Sequence, residues 1–201
     1  MLLERLAAHR GVAAPIEALS ATADAVGWRP ADLLAIGGQP VPAELMPADP
    51  KAGPHVRRLL NRVGALTTDD LAPIRRHARS LPAMPDPRGQ ALPPAAPVTF
   101  GTGLMRLMLV RNLGTEAVCV VVGWPMTLLN GLIRGAFPTQ PKWLPCLADV
   151  LDLRPDDLAA IAGVAAPSAD DPPAGARSAV GGLVLDLLPL SGKQIDRIAQ
   201  G

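Results

Sequence analysis

The sequence predicts an all-α protein made of two diverged copies of one helical unit, the second copy holding a five-helix domain. Three observations predict it. Apolar residues make up 49% of the chain, and they are mostly Ala, Leu and Val at helical spacing. Three stretches rich in Pro, Gly and Ala, at 39–54, 81–97 and 164–176, lack that spacing and read as linkers. They leave structured blocks at 1–38, 55–80, 99–163 and 178–201, and these blocks repeat in order.

The repeat is carried by two pairs of segments. Arg29-Pro-Ala-Asp-Leu-Leu-Ala-Ile-Gly-Gly38 matches Arg154-Pro-Asp-Asp-Leu-Ala-Ala-Ile-Ala-Gly163, an offset of 154 − 29 = 125. At that offset Leu19 meets Leu144, Ala23 meets Ala148, Asp24 meets Asp149 and Val26 meets Leu151. Leu66-Thr-Thr-Asp-Asp-Leu-Ala-Pro-Ile74 resembles Leu190-Ser-Gly-Lys-Gln-Ile-Asp-Arg-Ile198, an offset of 190 − 66 = 124. Two separate blocks in nearly one register predict a tandem duplication, with a period far longer than that of solenoid repeats. Arg10-Gly11 then falls on Arg134-Gly135, so the first copy begins where the second is already in its third helix.

Within 99–163 five short helices are expected. The first runs from Gly103 to Asn112, with Leu104, Leu107, Met108 and Leu109 as its apolar side. Thr115-Glu116 opens the second, and Gly123 ends it as a left-handed stop. Pro125 starts the third, where a missing N–H costs nothing, and Gly135 closes it. A loop with Pro138 and Pro141 leads to the fourth, at 142–151. Arg154-Pro155-Asp156-Asp157 opens the fifth, with acids near the positive helix end.

The run Leu113-Gly-Thr-Glu-Ala-Val-Cys-Val-Val-Val-Gly-Trp-Pro-Met-Thr-Leu-Leu-Asn-Gly-Leu-Ile-Arg-Gly135 resembles the Cro/C1-type (XRE) helix-turn-helix family. The resemblance extends through Leu147-Ala-Asp-Val-Leu-Asp-Leu-Arg-Pro-Asp-Asp-Leu158, and in the first copy it covers the trailing part, 2–38. It implies that the third helix lies in the major groove of double-stranded DNA. It further implies a transcriptional regulator that acts as a homodimer. Core positions of the family pattern are filled by Val118, Val122, Trp124, Leu129, Leu132, Leu144, Leu147, Leu151 and Leu158. The reading positions carry Met126, Thr127 and Asn130, with Pro125 and Gly131 beside them. Thr115 stands at the phosphate-facing start of the second helix, and Arg106, Arg111, Arg134 and Lys142 are the cations expected on phosphate. The alternative is a protein-interaction or scaffold module on the same skeleton. The apolar surplus of 118–129 favours it, because a helix apolar all round is normally buried.

The 55–80 block has the densest basic run: Arg57, Arg58, Arg62, Arg75, Arg76 and Arg79. It reads as a solvated face or as a second phosphate-tracking patch. The 178–201 block is more apolar, with Leu183, Leu185, Leu187 and Leu188, and is expected to pack on its own copy, with Ser191 capping the last helix.

Other classes are disfavoured. The chain has no Tyr, two Phe and three Trp, too few rings for a single-strand stacking platform. The net charge of +1 excludes a generally basic DNA coat and leaves a local basic surface. Gly101-Thr-Gly103 is too short for a phosphate loop, no nucleophile–base set is apparent, and Asp69-Asp70, Asp156-Asp157 and Asp170-Asp171 lie at helix starts or in a linker, so no enzyme, cofactor or metal site is expected. His9, His55 and His77 read as surface residues; Cys119 and Cys146, in apolar runs, read as buried thiols of a reducing compartment. The start Met1-Leu-Leu-Glu-Arg has no long apolar core, and 117–133 is too short and too broken to span a bilayer, so a cytoplasmic chain is expected.

Overall fold

The computed structural model describes residues 2–12, 23, 25–64, 66–168 and 178–200. Leu19 and Asp24 of the repeat, and the pair Asp170-Asp171, lie outside the described residues. Among those described, the architecture is all-helical, with one isolated antiparallel bridge between Val41 and Leu92. No helix is long and apolar enough to cross a membrane.

The first half holds α1 (Leu2–His9), α2 (Pro30–Gly37), α3 (Gly53–Val63) and α4 (Thr68–Ser80). The second holds α5 (Phe100–Leu109), α6 (Thr115–Val122), α7 (Met126–Ile133), α8 (Leu144–Leu151) and α9 (Pro155–Ala162), then α10 (Ser178–Leu187) and α11 (Gly192–Gln200). The five helices expected in 99–163 are therefore α5 to α9. The first of them starts three residues before Gly103, because Thr99 caps it by accepting the Thr102 N–H at 3.2 Å. Thr67 caps α4 in the same way, accepting from Asp70 N. Ser191 is within reach of Gln194 N at 3.4 Å, ahead of α11.

The matched segments have the same local form. Both α2 and α9 are eight residues long, follow an extended Arg, begin with Pro and end at a left-handed Gly, with φ of 70° at Gly38 and 72° at Gly163. Each buries an Asp of its first turn, and each of these Asp is held by an arginine at the end of another helix. Asp32 takes both Nη atoms of Arg111, at 2.6 and 3.0 Å. Asp157 takes Nε and Nη2 of Arg10, both at 2.7 Å, and the Trp28 indole N–H at 3.0 Å. Asp157 is fully buried; Asp32 and Arg111 are 1% exposed. These bonds tie α1 to α9 and the end of α5 to α2, the same pairs of helices that pack on each other. Through them α1 and α2 lie directly on α9 and α5.

The two helix pairs, α3 with α4 and α10 with α11, pack crosswise: α3 lies on α11 and α4 on α10. Arginines face this contact. Arg75 and Arg79 of α4 clasp Asp186 of α10 at 2.7 and 2.8 Å. Arg58 of α3 reaches Asp196 of α11 at 2.6 Å, His55 approaches the same carboxylate, and Arg62 donates to the Ala199 carbonyl. His55, then Arg58, hold the Asp196 carboxyl below its ordinary range. Most of the basic run of 55–80 is thus engaged within the fold, which removes most of a phosphate-tracking patch; Arg76 remains exposed. Beside α4, α10 also lies on α8, whereas α11 lies on α3 and α4.

The core is one continuous cluster running through both halves, from Leu6 and Leu33 through Leu59 and Leu107 to Leu158 and Leu183. The Pro-rich linkers bond to it and to each other: Ala95 N donates to Gly38 O, Arg88 N to Ala48 O, and Met84 N to Pro189 O.

Removing one partner of a buried pair leaves the other charge uncompensated. Asp32→Ala should therefore lower unfolding stability by about 3–5 kcal/mol. Asp86→Ala, at the exposed Asp86–Arg88 pair, should change it by less than about 1 kcal/mol. Urea denaturation of both variants checks the difference.

Candidate nucleic-acid interface

The chain from 113 to 135 bends at one residue. Gly123 has φ of 72°, in the region open to glycine, and its N–H donates to Cys119 O. Trp124 N donates to the same carbonyl at 3.0 Å, and Pro125, extended at φ −68° and ψ 143°, precedes the first turn of α7. The bend gives two short helices, α6 and α7, packed on each other. Pro125, the expected start, sits instead at the cap of α7, which begins one residue later at Met126.

Two contacts fix α7 against the rest of the domain. At Gly101 of α5 a Cβ would stand 2.1 Å from the Ile133 carbonyl oxygen and 2.8 Å from that of Leu132, so the two backbones are in close contact. Trp124 meets Trp143 edge-on, with centroids 6.0 Å apart and planes at 63°. That pair pins the loop after α7 to the turn before it. Leu129 and Leu132 face the core.

The opposite side of α7 is open. Met126, Thr127 and Arg134 are exposed, and Asn130 is half-buried. Phe137, 46% exposed, lies over Gly131 so closely that a Cβ there would meet its ring at 2.1 Å. Lys142 is exposed in the neighbouring turn. The side chains of Thr127, Asn130, Arg134 and Lys142 have no bonding partner among the described residues. Between Glu116 and Asp149 the sequence has no carboxylate, and its charges are Arg134 and Lys142. This surface is locally cationic although the whole chain is nearly neutral.

Two of the cations expected on phosphate are elsewhere. Arg106 is 3% exposed and donates to the carbonyls of Ala35 (2.9 Å), Pro93 (2.6 Å) and Gln39. It stands at the C-terminal end of α2, where a cation is favoured by the helix dipole. Burial pulls its guanidinium below the ordinary range. Arg111 is engaged by Asp32 and donates to Leu151 O and Leu107 O at 3.0 and 3.1 Å. Both were expected on phosphate, and the fold corrects this: they are internal braces and do not reach a phosphate. Their sequence neighbours gave no sign of this, since the receiving groups, Asp32 and the Ala35 carbonyl, lie more than seventy residues away.

Thr115 is half-buried at the first position of α6, where the cap residue is Gly114. Glu116 beside it pairs with Arg57 of α3. The two helix starts border a groove of about 370 Å³ lined by Gly53, Pro54, Arg57 and residues 114–117. Of the eight residues expected at DNA, the fold brings Met126, Thr127, Asn130 and Arg134 onto one side of α7, leaves Lys142 at its edge and Thr115 on the adjoining helix, and buries Arg106 and Arg111. Phe137 was missed. It follows α7 in sequence and returns over it, a contact that helical periodicity does not reveal.

Comparison with protein-family models finds no match, and searches of curated proteins and of solved structures find no similar protein.

Gly101→Ala should destabilise by about 1–3 kcal/mol, because carbonyl backbone atoms of α7 must move to admit a methyl group. Gly123→Ala meets no neighbouring atom, so only its left-handed backbone resists it, at about 1–2 kcal/mol. Thermal unfolding of the two variants, with a backbone amide spectrum to locate the perturbation in α7 for the first, checks both.

Proposed function

We propose that this chain is a DNA-binding transcriptional regulator of helix-turn-helix type, with α7 as the element that enters the major groove. The supporting observation is the open side of α7, where Thr127, Asn130 and Arg134, without a partner among the described residues, stand on a stretch without carboxylates. The resemblance to the Cro/C1-type pattern suggests the same element. A cytoplasmic location goes with that role.

The proposed fold behind it is a tandem duplication of one unit. Its support lies in the helix starts: 155 − 30 = 125 for α2 and α9, 178 − 53 = 125 for α3 and α10, 192 − 68 = 124 for α4 and α11, and 126 − 2 = 124 for α1 and α7. Gly11 and Gly135 end their helices with φ of 65° and 70°. If the α3, α4 pair and the α10, α11 pair are equivalent, their crosswise contact is what two chains of a dimer would otherwise form. One chain then contains its own pseudo-dimer, and the homodimer expected from the family resemblance is not needed. Light scattering at micromolar concentration should give the mass of a single chain; a stable dimer would count against the fused arrangement.

With Arg134 and Lys142 as the phosphate contacts, duplex binding should weaken with salt at a slope of about −1.8 in log K against log salt, and each Ala substitution should lower the slope by about 0.9. Fluorescence anisotropy with duplex fragments from upstream of the gene measures this. Arg106→Ala should instead show its effect in unfolding. A second reading, docking of a protein on the same surface, is favoured by Val120, Met126 and Phe137, which are 48%, 39% and 46% exposed. No duplex binding at any salt, with a protein partner co-purifying, would favour it.

A further inference from the structure

We infer that α7 selects A·T base pairs, through the Asn130 amide on adenine and the methyl groups of Met126 and Thr127 on thymine; this rests on the DNA-binding reading above. The inference comes from which hydrogen-bonding groups the open side of α7 has and which it lacks.

At helical spacing, Met126, Thr127, Asn130 and Arg134 fall within an arc of about 100°, opposite the buried Leu129 and Leu132. Each base presents a different edge in the major groove. Guanine presents two acceptors and is met by a cation with paired donors. The one cation on this side is Arg134, which follows the last residue of α7, about 12 Å along the axis from Met126. A helix that reads with its first turns places that position beside the backbone. Cytosine presents a donor and is met best by a carboxylate, and none occurs between Glu116 and Asp149. Adenine presents an acceptor and a donor side by side, the complement of a carboxamide, and the Asn130 carboxamide is unengaged among the described residues. Thymine presents a methyl group, and the leading turn of α7 offers the exposed thioether of Met126 and the Thr127 methyl. The Phe137 ring over Gly131 adds an apolar wall next to them.

The test begins with selection of bound sites from a pool of random duplexes. Sites rich in A·T steps are expected. In a selected duplex, 7-deazaadenine in place of adenine removes the N7 acceptor and leaves the protein untouched. It should weaken wild-type binding about tenfold, the value of one good bidentate contact, and should not weaken Asn130→Ala further. Uracil in place of thymine removes the methyl group and should weaken the wild type several-fold, with the difference reduced in Met126→Ala and abolished when Thr127→Ser is added. Enrichment of G·C sites, or equal binding of the modified and unmodified duplexes, would overturn the base preference while leaving DNA binding standing. Absence of binding to any duplex at low salt would overturn both.

Discussion

Two buried carboxylates, Asp32 and Asp157, organise this molecule. An ionised carboxylate without a counter-charge does not survive in a dry interior, so each must be met by a cation and by enough donors to satisfy its oxygens. Each is met by a bidentate arginine from a distant part of the chain: Arg111 for Asp32, and Arg10, with the Trp28 indole, for Asp157. Because the fork of a guanidinium matches a carboxylate in only a narrow range of orientations, these pairs set how α2 and α9 lie against the ends of α5 and α1. Apolar packing of Ala- and Leu-rich helices would tolerate several such orientations. The pairs select one.

The same economy of charge explains the surface. Arginines of this chain meet helix C-terminal carbonyls as well as carboxylates: Arg106 at the end of α2, Arg5 at Ile161 O near the end of α9, Arg62 at the end of α11. Helix ends present unpaired carbonyls and partial negative charge, so an arginine there satisfies two requirements at once. Arg106, buried in this way, cannot serve a ligand, while Arg5 and Arg62 stay exposed. On α7 and its flank Thr127, Asn130, Arg134 and Lys142 have no bonding partner among the described residues, and the sequence from 117 to 148 carries no carboxylate. Net charge over the whole chain conceals this division.

The bend at Gly123 supplies the remaining condition. A left-handed glycine followed by an extended proline turns the chain sharply, and the Trp124–Trp143 contact and the absence of a side chain at Gly101 let α7 sit flush on the domain. Its core side is thereby saturated. The exposed Met126 and Phe137 are then left over from packing, which is consistent with a surface that meets another molecule.

Much of this was legible in the sequence because it depends on neighbours. Helix starts at Pro155 and Ser191, the stop at Gly123, and the outward placement of 126 and 127 all follow from capping, backbone freedom and a period of 3.6 residues, whereas Gly131, expected beside them, is covered by Phe137. The first helix of the domain was displaced by three residues only because Thr99 captured the cap. The fates of Arg106 and Arg111 were not legible, nor were those of Arg58, Arg62, Arg75 and Arg79. A charged side chain on a helix reads as solvated until the opposite wall is known, and here that wall comes from segments roughly a third to two-thirds of the chain away. Local chemistry in the sequence determined where helices begin, end and face; tertiary structure alone decided which cations are buried as braces, because burial of a charge depends on a distant partner arriving at hydrogen-bond distance.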